Sequence, residues 1–337
     1  MDFLDRVGLR HPLVQAGMGG GLVGAELAGA VSAAGALGTI GILPPSLFQS
    51  ELAGAQDLAE GRPVAANLLV PFVRPGHLRA CVERRVPLVV FHGGSGHRWF
   101  AELQAEGILA FGTVGNLEQA RDALAAGADG LVVQGGEAGG HLVGDQPVAT
   151  LLPRVRELGE FPILAAGGVA DVDDVRALLD AGANAAVSGT RFLLTHESRA
   201  HPEYKQRVQA ATRTIRTMLF GVGWPLEHRV VPNDATDRWA GPDGEIRGWL
   251  RSVQRLSAPL ARRFPIRTAD RLTSFQRAGR PLFGPGAPLV GMPATAVDRA
   301  ALYAGESARR IDDIVSAREA VARLTNGLDA GLAREPG

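Results

Sequence analysis

Short, uninterrupted apolar runs recur along the chain, with room for one helix between each pair. They fall at Leu13–Gln15, Ala36–Ile40, Val64–Asn67, Leu88–Phe91, Ile108–Phe111, Leu131–Gln134, Ile163–Ala166 and Ala185–Ser188. The apolar positions within a run are consecutive, not alternating, which is the pattern of strands buried on both faces of a parallel sheet. Eight such runs match the requirement of a closed (β/α)₈ TIM barrel. An open doubly wound sheet has the same strand–helix grammar and is the competing α/β architecture.

Helix signals fill the gaps. Asn116 is placed to cap a helix that carries Leu117, Ala120 and Leu124 on one face. Asp171 is placed to cap another, with Val175, Leu178 and Leu179 turned inward. Gly127 and Gly182 follow these helices where a left-handed stop is wanted. The two units also resemble each other: Gly112-Thr-Val-Gly-Asn116 aligns with Gly167-Gly-Val-Ala-Asp171, and Leu124-Ala-Ala-Gly-Ala128 with Leu179-Asp-Ala-Gly-Ala183. A repeated strand–loop–helix unit is what a barrel is made of.

From about Thr195 the pattern changes. Arg213, Arg216 and Arg229 lie among Trp224, Trp239 and Trp249, and Pro and Gly punctuate Pro281 to Pro293. The expected organisation is a barrel core over 1–195 and an appended, mostly helical subdomain over the barrel mouth at 196–290. A C-terminal segment, 291–337, follows, and its helix, about Ser307–Leu324, is expected to pack back on the barrel.

Composition narrows the class. Of 337 residues, 46% are hydrophobic and the formal net charge is zero, enough apolar material for a large core and no electrostatic footprint for nucleic acid. Met1 to Arg10 is charged and unlike a signal peptide, and no apolar stretch is long enough for a membrane span. The single cysteine, Cys81, excludes an intrachain disulfide and a multi-cysteine zinc site, and a cytoplasmic setting is expected. The 44 glycines cluster at the ends of the apolar runs, where backbone can approach a ligand closely.

Two strand ends read as a phosphate site. Ile163-Leu-Ala-Ala-Gly-Gly-Val169 runs from a buried strand into Gly167 and Gly168, and the next strand ends in Gly189-Thr190. Glycine lets backbone N–H groups face an anion, and a following helix N-terminus adds partial positive charge. In barrels this site belongs after strands seven and eight, where these segments fall. Thr190 can add a hydroxyl donor and Arg191 a charge.

The loop Gln134-Gly-Gly-Glu-Ala-Gly-Gly-His141 follows the sixth run. One imidazole in a glycine-rich strand-end loop suits a general base, although a lone histidine is more often a structural hydrogen-bond partner. Glu137 is either a second titratable group or a cap for the next helix. Gln15-Ala-Gly-Met-Gly-Gly-Gly21 can lie along a flat ring with Met18 at one edge, and Asn67 offers an amide at a heterocycle edge. His92 ends the fourth run and is as easily structural as functional. There is no Walker lysine motif, HExxH, GxSxG elbow, metal-ligand cluster or dinucleotide fingerprint.

Gln15-Ala-Gly-Met18, Asn67, the 134–141 loop, Ala165-Ala-Gly-Gly168, Gly189-Thr-Arg-Phe192 and Tyr303-Ala-Gly-Glu-Ser307 resemble the nitronate monooxygenases, formerly 2-nitropropane dioxygenases. The resemblance implies non-covalently bound FMN in the barrel core. Gly167, Gly168, Gly189 and Thr190 would hold its phosphate. Ala16, Gly17, Met18, Asn67, Gln134, Gly139, Gly140 and Ala166 would border the ring and ribityl chain. His141 would be the catalytic base, removing the α-proton of a neutral nitroalkane, while a nitronate passes an electron to FMN and O₂ takes part in the oxidative cleavage. No metal, nucleic acid or membrane partner is implied, and a homodimer is left open.

Two departures stand out: Gly17, where many members have proline, and Leu142-Val-Gly-Asp145, which lacks an arginine–glycine after the histidine. The alternatives are a flavin-dependent enoyl-thioester (enoyl-acyl carrier protein type) reductase using NAD(P)H, which has the same barrel and glycine–histidine loop, and a flavin-binding barrel with no turnover of its own.

Overall fold

The computed structural model describes residues 3–263, 273, 276–277 and 279–328. The strands in chain order are β1 (Leu13–Gln15), β2 (Gly38–Gly41), β3 (Val64–Leu69), β4 (Leu88–His92), β5 (Leu109–Val114), β6 (Gly130–Gln134), β7 (Gly140–His141), β8 (Ile163–Ala166) and β9 (Ala185–Ser188). All but β7 form one parallel sheet in the order β1-β9-β8-β6-β5-β4-β3-β2. The sheet closes on itself: Val14 bridges to Leu37, and the Gln15 N–H donates to the Leu37 carbonyl at 2.9 Å. The fold is the (β/α)₈ barrel, not the open sheet.

Three strands coincide with the apolar runs, and others shift at their ends. β2 starts at Gly38, not Ala36, because helix α2 (Ala25–Ala33) ends in a turn in which Gly35 has φ +95° and the Ala36 N–H bonds back to the Val31 carbonyl. α6 (Leu117–Ala125) is capped by the Asn116 side chain, which accepts from the Gln119 N–H at 2.9 Å. α8 (Val172–Asp180) carries a reciprocal capping box between Asp171 and Asp174. Gly127 and Gly182 take the left-handed conformation expected of them.

Alternate residues of each strand face opposite sides, and both sides are buried. Leu88, Val90, Leu109, Phe111, Val132 and Leu164 fill the barrel. Helix α1 (Phe3–Val7) closes its N-terminal end, with Phe3 5.9 Å from Phe111. Val89, Phe91, Leu131, Val133, Ile163 and Ala165 pack outward under the helices. Each such side chain larger than alanine contributes about 1.5–3 kcal/mol, so the consecutive apolar pattern follows from a wall buried twice.

Beyond residue 195 come α10 (Pro202–Gln209), β10 (Ile215–Thr217), β11 (His228–Val230), α11 (Asp234–Trp239) and α12 (Gly248–Arg263). This segment is not only helical: β10 and β11 pair antiparallel with each other, and β11 pairs with β7 from the loop after β6. The helix expected at Ser307–Leu324 is shorter. A 3₁₀ turn spans Glu306–Arg310, and Val315 then pairs with Thr195 in extended chain. Helix α13 (Ala317–Thr325) begins only after Ser316, whose side chain caps it. Ala317, Ala320, Val321 and Leu324 bury α13 in the barrel's outer core. No helix among the described residues is long and apolar enough to cross a membrane.

Candidate active site

A cavity of about 610 Å³ opens at the C-terminal ends of the barrel strands. Ala16, Gly17 and Met18 line it after β1, Asn67 from β3 and His92 from the end of β4. Gln134, Gly139, Gly140 and His141 line it from the loop after β6, Ala166, Gly167 and Gly168 after β8, and Gly189 and Thr190 after β9. The residues expected to hold the cofactor and His141 thus meet at one cavity, whereas Arg191 and Glu137, also offered by the sequence, do not line it.

Backbone builds one end. Gly167 has φ +139° and Gly168 φ +74°, conformations that L side chains rarely adopt, and the chain then enters the capped N-terminus of α8. Gly189 leads into the short helix α9 (Thr190–Leu193). The Thr190 hydroxyl accepts from the Gly305 N–H at 3.0 Å, which leaves its own proton to donate. Arg191 adds no charge here. Its buried guanidinium pairs with Asp313 at 2.5 Å and donates to the Leu194 and Asp313 carbonyls at 2.7 Å. On the outside, Arg310 donates to the Gly168 carbonyl at 2.7 Å while paired with Asp171 and Asp174.

Gly17 has a steric reason. A Cβ there would lie 2.4 Å from Asn67 Cβ and 3.0 Å from Thr39 Cγ2, so the bare glycine lets the loop after β1 rest on β3. Asn67 Oδ1 is buried without a partner.

The other end is built around His141. β7 pairs antiparallel with β11, setting His141 opposite His228 and Gly140 opposite Arg229. Gln134 is engaged at both ends of its amide: Nε2 donates to the His141 carbonyl at 3.1 Å, and Oε1 accepts the Val143 N–H at 3.0 Å. Buried Arg229 donates twice to the Gly136 carbonyl, at 3.0 and 2.7 Å, and pairs with Glu306 at 3.1 Å. Glu137 is a cap: it accepts the N–H of Val148, the first residue of α7 (Val148–Arg156), at 2.9 Å.

Aromatic rings enclose the imidazole. Trp224 stacks on His141 with centroids 3.9 Å apart and planes at 24°. Tyr303 and His228 lie 5.4 and 5.2 Å from it. His92 stands edge-on to Trp224 and hydrogen-bonds to the His141 backbone. Burial pushes His92 and His228 down to about 4. His141 is held well below the usual histidine range, first by burial and then by the neighbouring His228 and His92. The His228 tautomer is fixed, with Nδ1 donating to the Leu226 carbonyl and Nε2 accepting the Phe220 N–H. His141 is therefore neutral near pH 7, and its Nε2 is buried without a partner.

His228 and the clamping role of Arg229 were missed in the sequence, and Trp224 and Tyr303 were noted without a place in the site. The Gly221-Val-Gly-Trp-Pro225 turn, which delivers a large ring from a glycine-framed bend, was the available signal for Trp224. No group of three or more His, Cys, Asp or Glu side chains able to hold a metal occurs among the described residues.

A family model described as Nitronate monooxygenase matches residues 3–79 and 75–327. A (3aS,4S,5R,7aS)-5-hydroxy-7a-methyl-1-oxo-octahydro-1H-indene-4-carboxyl-CoA dehydrogenase of Rhodococcus jostii is 31% identical over 259 residues, covering 75% of this chain and 71% of that protein. A nitronate monooxygenase of Pseudomonas aeruginosa is 37% identical over 178 residues, 50% of each chain. Among solved structures, a nitroalkane oxidase from Streptomyces ansochromogenes superposes with a TM-score of 0.74 at 26% identity, over 97% of each chain.

Proposed function

The chain belongs to the nitronate monooxygenase family, a family of flavin-dependent oxidoreductases, and from that premise we propose that it binds FMN and oxidises alkyl nitronates, and nitroalkanes, with O₂. One observation carries the reading: a neutral His141, whose buried Nε2 has no partner, lines the same cavity as a backbone cradle for an anion.

The residues fit FMN. The N–H groups around Gly167, Gly168 and Gly189 and the Thr190 hydroxyl would hold the phosphate without a cation. Ala16, Gly17, Met18, Asn67, Gln134, Gly139, Gly140 and Ala166 would border the ring and ribityl chain. Asn67 lines the cavity with its buried Oδ1 unpartnered, and a turn of this amide would let it accept a heterocycle N–H. Bound FMN would supply the electron acceptor. The chain's own contribution is to bind and orient the substrate, to exclude water behind Trp224, and to accept the α-proton of a neutral nitroalkane on His141 Nε2. A nitronate arrives already deprotonated and needs no such transfer. A cytoplasmic setting completes the reading, supported by the lone cysteine, Cys81.

A second reading, oxidoreduction of an acyl thioester with NAD(P)H as partner, is favoured by the Rhodococcus relative, which is named for a CoA-thioester substrate. Anaerobic titration separates the two: bleaching of the flavin by an alkyl nitronate, and not by NADH, NADPH or an acyl-CoA, supports the first. Protein purified with excess FMN that releases none on denaturation sinks both. His141→Ala should lower kcat/KM on a neutral nitroalkane by about 10²–10⁴-fold, with a much smaller change on its nitronate. No change on either substrate would remove His141 as the base, and no turnover of either substrate by the flavin-loaded parent protein would leave a flavin-binding barrel without activity of its own.

A further inference from the structure

All the barrel strand ends contribute to the cavity wall except that of β5, yet no lysine, arginine, aspartate or glutamate of the described residues lines it. Four described arginines around the barrel mouth are committed elsewhere. Arg229 is held by Gly136 and Glu306, Arg310 by Asp171 and Asp174, Arg191 by Asp313, and Arg199 by Glu26 and Glu51. Polar groups on the wall near His141 are engaged as well. The Tyr303 hydroxyl donates to the Pro285 carbonyl at 3.0 Å. The Ser257 hydroxyl donates to the Gln254 carbonyl at 2.7 Å and accepts the Gly223 N–H at 2.9 Å. Ile42, Leu69, Phe72, Val222 and Trp224 supply apolar wall.

We infer that the substrate carries no charged group beyond its reacting centre: the cavity takes a nitronate or nitroalkane with a plain apolar chain and rejects one with a remote carboxylate. The inference rests on the nitronate reading. A carboxylate brought into this cavity beside bound flavin, whose phosphate would occupy the backbone cradle, would lose its hydration with no cation and few uncommitted donors among the described residues to replace it, a large penalty for a buried charge. The nitronate charge itself is common to both kinds of substrate and cancels from the comparison. An apolar chain instead gains from leaving water against this wall.

The test pairs 1-nitropropane with 3-nitropropionate at neutral pH, on the flavin-loaded protein without O₂. Dissociation constants come from the perturbation of the flavin absorbance, and kcat/KM from propyl-1-nitronate and propionate-3-nitronate in air. The carboxylated member should bind about a hundredfold more weakly and fall behind in kcat/KM by a similar factor. Equal or tighter binding of 3-nitropropionate overturns the inference. Leu69→Lys, which puts a cation on the wall, should narrow the gap at least tenfold; a gap that this cation leaves untouched also overturns it, since missing charge would not be its source. Failure of the nitronate reading looks different: neither nitronate bleaches the flavin, while the two dissociation constants still decide whether the wall rejects the carboxylate.

Discussion

At one end of the cavity, Gly167, Gly168, Gly189 and Thr190 sit in turns between neighbouring elements, and their main-chain angles follow from the residues beside them. At the other, His141 is held by Gln134 from its own loop, by His228 and Arg229 from β11, by Trp224 from a bend and by Tyr303 from near the C-terminus. The first end is chiefly an arrangement of backbone amides set by local turns, with Gly305 and Arg310 adding one tie each, at Thr190 and Gly168. The second is an arrangement of side chains, which needs the distant parts of the fold in register. They should therefore fail separately.

The largest separation is expected from Arg229→Met. Removing the guanidinium leaves the Gly136 carbonyl without its donor, while half-exposed Glu306 stays in water, and should cost about 1–3 kcal/mol. Turnover should collapse with the His141 loop, while flavin still binds the remaining cradle. Thermal unfolding together with flavin titration reads both, and a parallel loss of flavin affinity would erase the distinction between the ends. Gly167→Ala strikes the opposite end. With φ at +139° and a Cβ 3.1 Å from Glu137, the strain should be about 1–3 kcal/mol and appear mainly as weaker flavin binding, with residual turnover at saturating FMN.

The effect that is smallest near neutrality concerns pH. His228 is held at about 4 in the fold, against about 6.5 in an unfolded chain. The unfolded state thus binds more protons between these values. This contribution to stability is complete above about pH 6.5 and is lost as pH falls toward 4, with a slope of up to about 1.4 kcal/mol per pH unit. Denaturation curves at pH 7, 6 and 5 should show a shallower acid loss for His228→Gln. An equal slope would mean that this ring is not kept neutral by the packing at the His141 end.

The same contrast explains what could be read from the chain alone. The barrel strands, the Asn116 and Asp171 caps and the glycine cradle were legible because each is written in adjacent residues. The pairing of β7 with β11 was not, since a two-residue strand carries no periodicity and its partner lies in the appended segment. Arg191 was misplaced because its carboxylate, Asp313, is remote in sequence. The C-terminal helix was drawn too long because Val315 is claimed by Thr195, a long-range pairing invisible in the local apolar pattern.

The β7–β11 pairing also orders events in time. Contacts between near neighbours close quickly, whereas partners far apart in the chain wait on a larger loop-closure entropy. In a growing or refolding chain, the turns after β8 and β9 can form as soon as their strands pair and gain their ties to Gly305 and Arg310 later, whereas His141 is not fixed at all until the chain has been made past Val230. The protein should therefore be able to take up its cofactor before it can use it, so that flavin uptake is an early mark of folding and turnover a late one.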